Sequence, residues 1–129
     1  MSNQQPLSVE HFRNILTCET KNLNQLCERW AKILESRSAI ESQDVEEEIK
    51  REHEETLGTI RATIGKAKLL MSQRFKQFSD LIDDCEFNTG QHPTRLDDLL
   101  GFWEMISYQV EDVVRNFKSL DRPDQEPLG

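Results

Sequence analysis

The sequence has few of the residues that break or cross-link a protein chain. Its 129 residues include only five glycines, four prolines and three cysteines. No apolar run approaches the roughly 20 residues that a membrane span needs, and the opening MSNQQPLSVE lacks the apolar core of a signal peptide. We therefore expect no membrane insertion. The odd number of cysteines indicates reduced thiols rather than a disulfide framework.

Basic residues are also scarce relative to acidic ones. Sixteen Lys and Arg against 24 Asp and Glu give a net charge of −8. Such a chain is repelled by phosphate backbones and by anionic lipid headgroups, so we expect it to bind neither nucleic acid nor a membrane. At 36% apolar and 31% charged residues, the chain has few apolar side chains for the core of an α/β enzyme. The composition suits helices that each bury one row of apolar side chains and expose the rest of their surface.

Three long runs of apolar residues recur at alternating spacings of three and four, the period of a helix with one buried face. Ser8 is a good N-cap for the first run and Thr94 for the third, while Asn88 and Gly90 end the second. The sequence predicts an all-α fold, an antiparallel up-down-up three-helix bundle. The predicted helices span residues of about 9–36, 45–86 and 95–120.

The same pattern sets the expected domain limits and core. One helical domain covers residues 9–120, between an N-terminal tail (1–8) and a polar C-terminal tail (121–129). Residues 35–44 are predicted to connect the first two helices. The acidic stretch that follows is either the solvated, poorly packed start of the second helix or a disordered insert. Trp103 stands in the middle of the third stripe and should be central. The predicted core residues are Trp30, Ile64, Met71, Phe78, Trp103, Ile106, Val110 and Phe117.

Small side chains repeat every seven residues along one flank of the second helix. They are Gly58, Gly65, Ser72 and Ser79. Either the spacing arises by chance on the surface, or it lets a neighbouring backbone come close. The sequence alone leaves both readings open.

Residues for catalysis or metal binding do not form a recognisable set. His53 lacks the second His, four residues on, of a zinc-protease helix, and Cys18 and Cys27 fall on opposite faces of a helix. There is no nucleophile motif and no phosphate-binding glycine loop. We expect a protein that is not an enzyme and has no cofactor or metal.

Two groups of side chains are candidates for binding a partner. Phe102, Met105 and Tyr108 lie away from the buried stripe of the third helix and form an apolar outer face, unless a terminal segment covers them. Arg61 and Lys68 belong to a stretch of the second helix without acids. They either pair with acids of a neighbouring helix or receive an acidic or phosphorylated ligand.

Three stretches resemble one known family. LLMSQRFKQFSDLIDDCE (Leu69–Glu86) and LDDLLGFWEMISYQVEDVVRNF (Leu96–Phe117) are similar to signatures of the guanylate kinase-associated protein family, and FRNILTCET (Phe12–Thr20) is similar to its first helix. FRNIL, RFKQF and DDCE look closer to the mitotic branch, which contains hepatoma up-regulated protein and Mars, than to the neuronal branch.

The resemblance implies a non-catalytic scaffold domain of a spindle-associated mitotic protein. It implies protein partners, a cytoplasmic and cytoskeletal location on the spindle, and a nuclear location in interphase. Microtubules would be bound through basic sequence outside this segment, because tubulin is acidic like this chain. Two alternatives are a postsynaptic scaffold domain of the neuronal branch and a self-associating helical module. The predicted loops are short enough to join antiparallel neighbours, and the apolar stripes are wider than two positions per heptad. Both features favour packing within one chain, and therefore a monomer.

Overall fold

The computed structural model describes residues 7–39, 46–88 and 92–121. Four α-helices and one π-helical turn follow one another along the chain. They are α1 (Val9–Ser38), α2 (Glu47–Leu70), the π turn (Met71–Phe75), α3 (Lys76–Phe87) and α4 (Leu96–Leu120). The backbone stays right-handed helical at both junctions of the π turn, so α2, the π turn and α3 form one continuous rod, here called the middle helix.

Contacts between helix ends give the direction of each helix. Near the start of α1, the guanidinium of Arg13 donates to the carboxylate of Asp83 near the end of α3, over 2.8 Å. Near the end of α1, Arg29 donates to Asp121, the residue after α4, over 2.9 Å. Thus α1 runs antiparallel to the middle helix and parallel to α4. The predicted all-α, up-down-up bundle is confirmed, and the described residues contain no strand.

The first helix begins where the sequence predicts. The Ser8 hydroxyl accepts a hydrogen bond from the backbone N–H of His11 over 3.0 Å, which satisfies one free donor of the first turn. The helix then continues to Ser38, two residues beyond the predicted end. The rest of the predicted connection (residues 40–45), Gly90 and most of both terminal tails lie outside the described residues.

The last helix begins one residue later than predicted. Thr94 is not its N-cap, because both its backbone N–H and its hydroxyl donate to the carboxylate of Asp84, over 3.0 and 2.7 Å. Arg95 holds the N-cap position, and its N–H donates to the side chain of Asp98 over 3.0 Å. Asn88 ends α3 in the left-handed conformation (φ 55°), as its role as a helix breaker predicts.

Burial along the middle helix changes register at the π turn. Leu70 is buried and the next buried residue is Phe75, because a π turn holds more residues than an α-helical turn. This five-residue step places Leu70, rather than the predicted Met71, in the core; Met71 is only partly buried at its edge. Beyond the turn, Phe78 and Ile82 continue the buried face.

The prediction that Trp103 is a central core residue is wrong. Its ring is partly buried and stacks on Phe78, with ring centroids 5.7 Å apart. Phe102 stacks on the same ring at 5.8 Å, so two consecutive aromatic residues share the covering of Phe78 and neither is enclosed. The predicted core residues that are buried are Trp30, Ile64, Phe78, Ile106, Val110 and Phe117.

The opening of α2 is helical but has almost no packing. Residues 46–52 are exposed, and the apolar side chain of Ile49 is 53% exposed. Leu57 is the first buried residue of this helix. The first contact with α1 is made by the half-buried His53, whose Nε2 lies 3.3 Å from the carbonyl oxygen of Arg37, so only residues 46–52 project from the packed part.

Candidate protein-binding site

The stretches that carry the family resemblance meet in space at one end of the bundle. Phe12, from FRNIL, packs edge-on against Phe78, from RFKQF, with ring centroids 6.0 Å apart. Phe102 and Trp103, from the GFW of α4, cover another side of Phe78. Arg13 binds the carboxylates of the DDCE stretch. Because these residues hold the three helices together, they account for the fold rather than for a binding surface.

Exposed apolar side chains gather elsewhere, between the middle helix and α4. Among the described residues six large apolar side chains are exposed: Leu7, Ile49, Leu69, Phe87, Met105 and Tyr108. Three of the six share one location. Leu69 (56% exposed) and Tyr108 (73% exposed) line the same cavity, and Met105 lies one helical turn before Tyr108 on α4. A cluster of this kind is the surface feature expected where a partner supplies the missing burial.

The cavity is an open groove that crosses the π turn. Its volume is about 360 Å³, and Leu70 and Val113 from the core form its floor. Leu69 stands on the side of the middle helix and Tyr108 on the side of α4. The rim is polar and is formed by Lys66, Gln73, Arg74, Gln109 and Asp112. An apolar centre within a polar rim is typical of protein interfaces.

The π turn itself contributes Gln73 and Arg74 to this rim. If the helix were α-helical throughout, every residue after the π turn would be rotated about the helix axis relative to its present position. Turns of this type occur often at functional sites, because they re-aim side chains without breaking the helix. Here the widened turn does two things: it keeps Phe75 in the core and it sets Arg74 beside the exposed Leu69.

The structure brings together only part of the predicted site. Met105 and Tyr108 are exposed and belong to the groove region, whereas Phe102 is partly buried against Phe78 and is not a free surface residue. Arg61 and Lys68 are both exposed, and neither is in an ion pair with a residue that the structure describes. They do not line the groove, so they form a separate surface.

Sequence reasoning missed Leu69 as a binding residue. The apolar triplet of residues 69–71 was a usable signal, because one helix face cannot bury three consecutive side chains. Leu70 takes the core position, which leaves Leu69 in solvent. Lys66 and Arg74 belong to the acid-free basic stretch of the second helix, from which sequence reasoning singled out Arg61 and Lys68 instead.

The described residues offer little else on which chemistry could be built. They contain no group of three His, Cys, Asp or Glu side chains placed to hold a metal ion. Burial raises the pKa of the Cys27 thiol, opposed by the charge of Lys68, and burial with the nearby Asp84 and Asp98 raises the pKa of Cys85. Both shifts disfavour the nucleophilic thiolate.

No helix in the described ranges has the length and apolarity to cross a membrane.

Comparison with known sequences assigns the family. The profile of the guanylate-kinase-associated protein (GKAP) family matches residues 8–126, nearly the whole chain. The chain belongs to the guanylate-kinase-associated protein family. The match includes every helix of the bundle and both sides of the groove, as the resemblance of the three stretches predicts.

Individual relatives include human and Drosophila melanogaster proteins. Human Disks large-associated protein 5 is 40% identical over 112 residues, which cover 87% of this chain and 12% of the relative. Human Disks large-associated protein 2 is 36% identical over 111 residues (86% and 9%). The Drosophila melanogaster guanylate kinase-associated protein mars is 32% identical over 127 residues (89% and 13%). The chain therefore spans 9–13% of the length of these relatives.

Proposed function

We propose that this chain is a non-catalytic protein-interaction domain of a spindle-associated scaffold, and that its binding surface is the Leu69–Tyr108 groove. The observation that carries the binding surface is that exposed Leu69 and Tyr108 line one groove, with exposed Met105 one turn before Tyr108 on α4. Elsewhere the bundle buries its apolar stripes, as the core around Phe78 and Ile106 does. An apolar surface in a chain this rich in charge is stabilised when a second protein covers it.

The assignment to a mitotic scaffold is supported by the likeness to Mars and by the stretches FRNIL, RFKQF and DDCE. These stretches contact one another through Phe12, Phe78, Arg13 and Asp83, so they represent one structural unit rather than three separate matches. In this proposal the domain recruits a partner protein to the spindle during mitosis. The scaffold that carries the domain is nuclear in interphase. Contact with microtubules is left to other sequence, since a chain at −8 is repelled by acidic tubulin.

The test uses the immobilised chain in mitotic extract, with retained proteins identified by mass spectrometry. The informative variant is Met105→Glu with Tyr108→Glu, which charges one wall of the groove. The matched control is Ile49→Glu with Phe87→Glu, which makes the same chemical change at exposed apolar residues outside the groove. Neither pair is buried, so both variants should keep the helical circular dichroism of the parent chain.

We expect the parent and the control to retain spindle proteins and the groove variant to lose them. Equal retention by both variants would contradict the binding surface. Retention of postsynaptic proteins from synaptosomal extract, with no spindle protein from mitotic extract, would contradict the mitotic assignment. A self-associating module would instead sediment above the 15.1 kDa of the single chain, and the groove variant would return it to that mass.

A further inference from the structure

The groove at Tyr108 continues along the bundle between α2 and α4. A second concavity of about 600 Å³ adjoins it, and Lys66 lines both. The lining of the second concavity comes from the same two helices: Glu55, Gly58, Thr59, Ala62, Thr63, Lys66, Asn116 and Ser119. Together the two concavities run from Glu55 to Arg74 along the middle helix. At 1.5 Å per residue the wall on the middle helix is about 28 Å long and the wall on α4, from Tyr108 to Ser119, is about 17 Å long, so the two walls together flank roughly three turns of an α-helix.

Small side chains on the α2 side of this groove leave room for the backbone of a second helix to approach. A Cβ atom added at Gly58 would have no heavy atom within 4 Å, and Ala62 beside it carries only a methyl group. Small residues on a helix surface allow a second helix to approach closely and to set its ridges into the groove. The seven-residue spacing of small side chains, left open by the sequence, thus coincides in part with an open groove.

The hydroxyls along this wall are already satisfied within their own helix. Thr63 donates to the carbonyl oxygen of Thr59 over 2.9 Å, and Thr59 donates to that of Glu55 over 3.0 Å. Each therefore needs no hydrogen bond from a ligand and presents its methyl group. Covering them with an apolar surface leaves no donor unpaired, which removes the main cost of burying polar groups.

These features favour a helix over an extended peptide as the occupant. The backbone donors and acceptors of α2 and α4 are used within the helices, so the groove walls have no free edge to which a strand could pair. An extended peptide would bury backbone groups without partners. A helix satisfies its own backbone and needs only an apolar face toward the groove.

The charge on the groove selects an acidic occupant. Lys66 and Arg74 stand on its rim, and among the described residues neither is paired with a carboxylate; Arg74 donates only to the amide oxygen of Gln77. The carboxylate of Asp112, on the same rim, is 3.5 Å from the guanidinium of Arg115 on its own helix. Glu55 lies at the far end of the groove, so the positive charge is confined to the stretch from Lys66 to Arg74, where it attracts acidic side chains locally.

We propose that an acidic amphipathic helix of a partner protein docks along the whole groove as a fourth helix of the bundle. This inference rests on the proposed function and adds the class of ligand. Its apolar face covers Leu69 and Tyr108 and approaches the α2 backbone at Gly58. Its acidic flank pairs with Lys66 and Arg74. An occupant in this position covers Leu69 and Tyr108 and neutralises the charges of Lys66 and Arg74 together.

The experiment first identifies the segment that touches the groove. The photoreactive amino acid p-benzoylphenylalanine replaces Tyr108, the chain is irradiated in mitotic extract, and the cross-linked peptide is sequenced. That segment is then synthesised and titrated against the parent chain. We expect a sequence with helical apolar spacing and net negative charge, whose circular dichroism becomes more helical on binding.

Three variants then test the groove with that peptide. Lys66→Glu with Arg74→Glu should weaken binding by about tenfold or more at low salt and less at high salt. Ala62→Trp, which fills the distant half of the groove, should weaken it by a similar factor. The matched control, Arg61→Glu with Lys68→Glu, changes the same charge on the same helix outside the groove and should leave binding unchanged.

The outcomes separate this inference from the function on which it rests. A cross-linked partner whose segment is basic or extended, or that binds Ala62→Trp like the parent, overturns the docked helix but keeps the binding surface. Loss of binding in the Arg61/Lys68 control also overturns the docked helix. A cross-link to a second copy of the chain, or none at all, overturns both proposals.

Discussion

Arg13 in α1 and Asp83 in α3 form an ion pair of 2.8 Å across 70 residues of sequence. The same guanidinium reaches Glu86, one turn further along α3. Both carboxylates raise the pKa of Arg13, in agreement with a favourable interaction of the charged form. The pair therefore fixes the start of α1 against the end of the middle helix.

Arg13→Gln should have only a small effect on stability, because all three side chains are at least a third exposed. We expect a loss of at most about 1 kcal/mol in the free energy of unfolding by urea, and a smaller loss at high salt. The packing of Phe12 and Phe78 beside the pair should hold the same helices without it. A much larger loss, or one independent of salt, would show that Arg13 acts through packing rather than charge.

Phe78 should contribute more to stability than Trp103, although Trp is the larger residue. Phe78 is fully buried at the meeting point of three aromatic rings, whereas Trp103 is partly buried. Phe78→Ala should lower the free energy of unfolding by about 3–5 kcal/mol, and Trp103→Ala by clearly less. Urea denaturation of the two variants measures the difference. The reverse order would restore the central place that the sequence predicts for Trp103.

The opening of α2 should be the least protected helical segment of the bundle. Its exposed residues, among them Ile49, have few neighbours that could hold the helix closed. Hydrogen exchange followed by mass spectrometry should therefore find faster exchange in residues 47–55 than in residues 60–70. Equal protection in the two segments would mean that contacts beyond those of the described residues stabilise the opening.

The thiols of Cys18 and Cys27 should react at different rates. Cys18 is exposed and Cys27 is buried, and burial raises the pKa of Cys27 above its ordinary value of 9.0. A thiol reagent should modify Cys18 quickly and Cys27 only as the fold opens. Labelling of Cys27 at the rate of Cys18 would contradict its burial.

The raised pKa of Cys27 also gives a dependence of stability on pH. The folded state holds the protonated thiol, so its contribution is fully present below pH 9.0 and is lost as the pH rises toward the folded pKa. Between these values the free energy of unfolding of the parent chain should fall more steeply than that of Cys27→Ala. Parallel curves for the two proteins would contradict the shift.

The helices were predictable because their stripes are regular and their ends carry specific residues. The Ser8 cap and the left-handed Asn88 both follow from local side-chain and backbone preferences. Thr94 shows the limit of that reasoning. As an N-cap its hydroxyl would accept a hydrogen bond from a backbone N–H of the first turn, whereas here it donates to the carboxylate of Asp84, which α3 places beside it.

The binding groove was only half predictable, because it depends on a change of register. The exposed wall formed by Met105 and Tyr108 follows from the regular period of α4. The opposite wall includes Gln73 and Arg74, whose placement depends on the π turn, and the same turn makes Phe75 the next buried residue after Leu70. No local pattern in the sequence reports a π turn.

The most direct test of the binding surface is the hydrogen-exchange footprint of the chain in complex with the partner recovered from mitotic extract. We predict that binding slows exchange in the two segments that flank the groove, residues 58–74 of the middle helix and 105–116 of α4. Exchange on the outer surface of α1, around Lys21 and Lys32, should not change. Protection confined to α1, with both groove segments unaffected, would contradict the account.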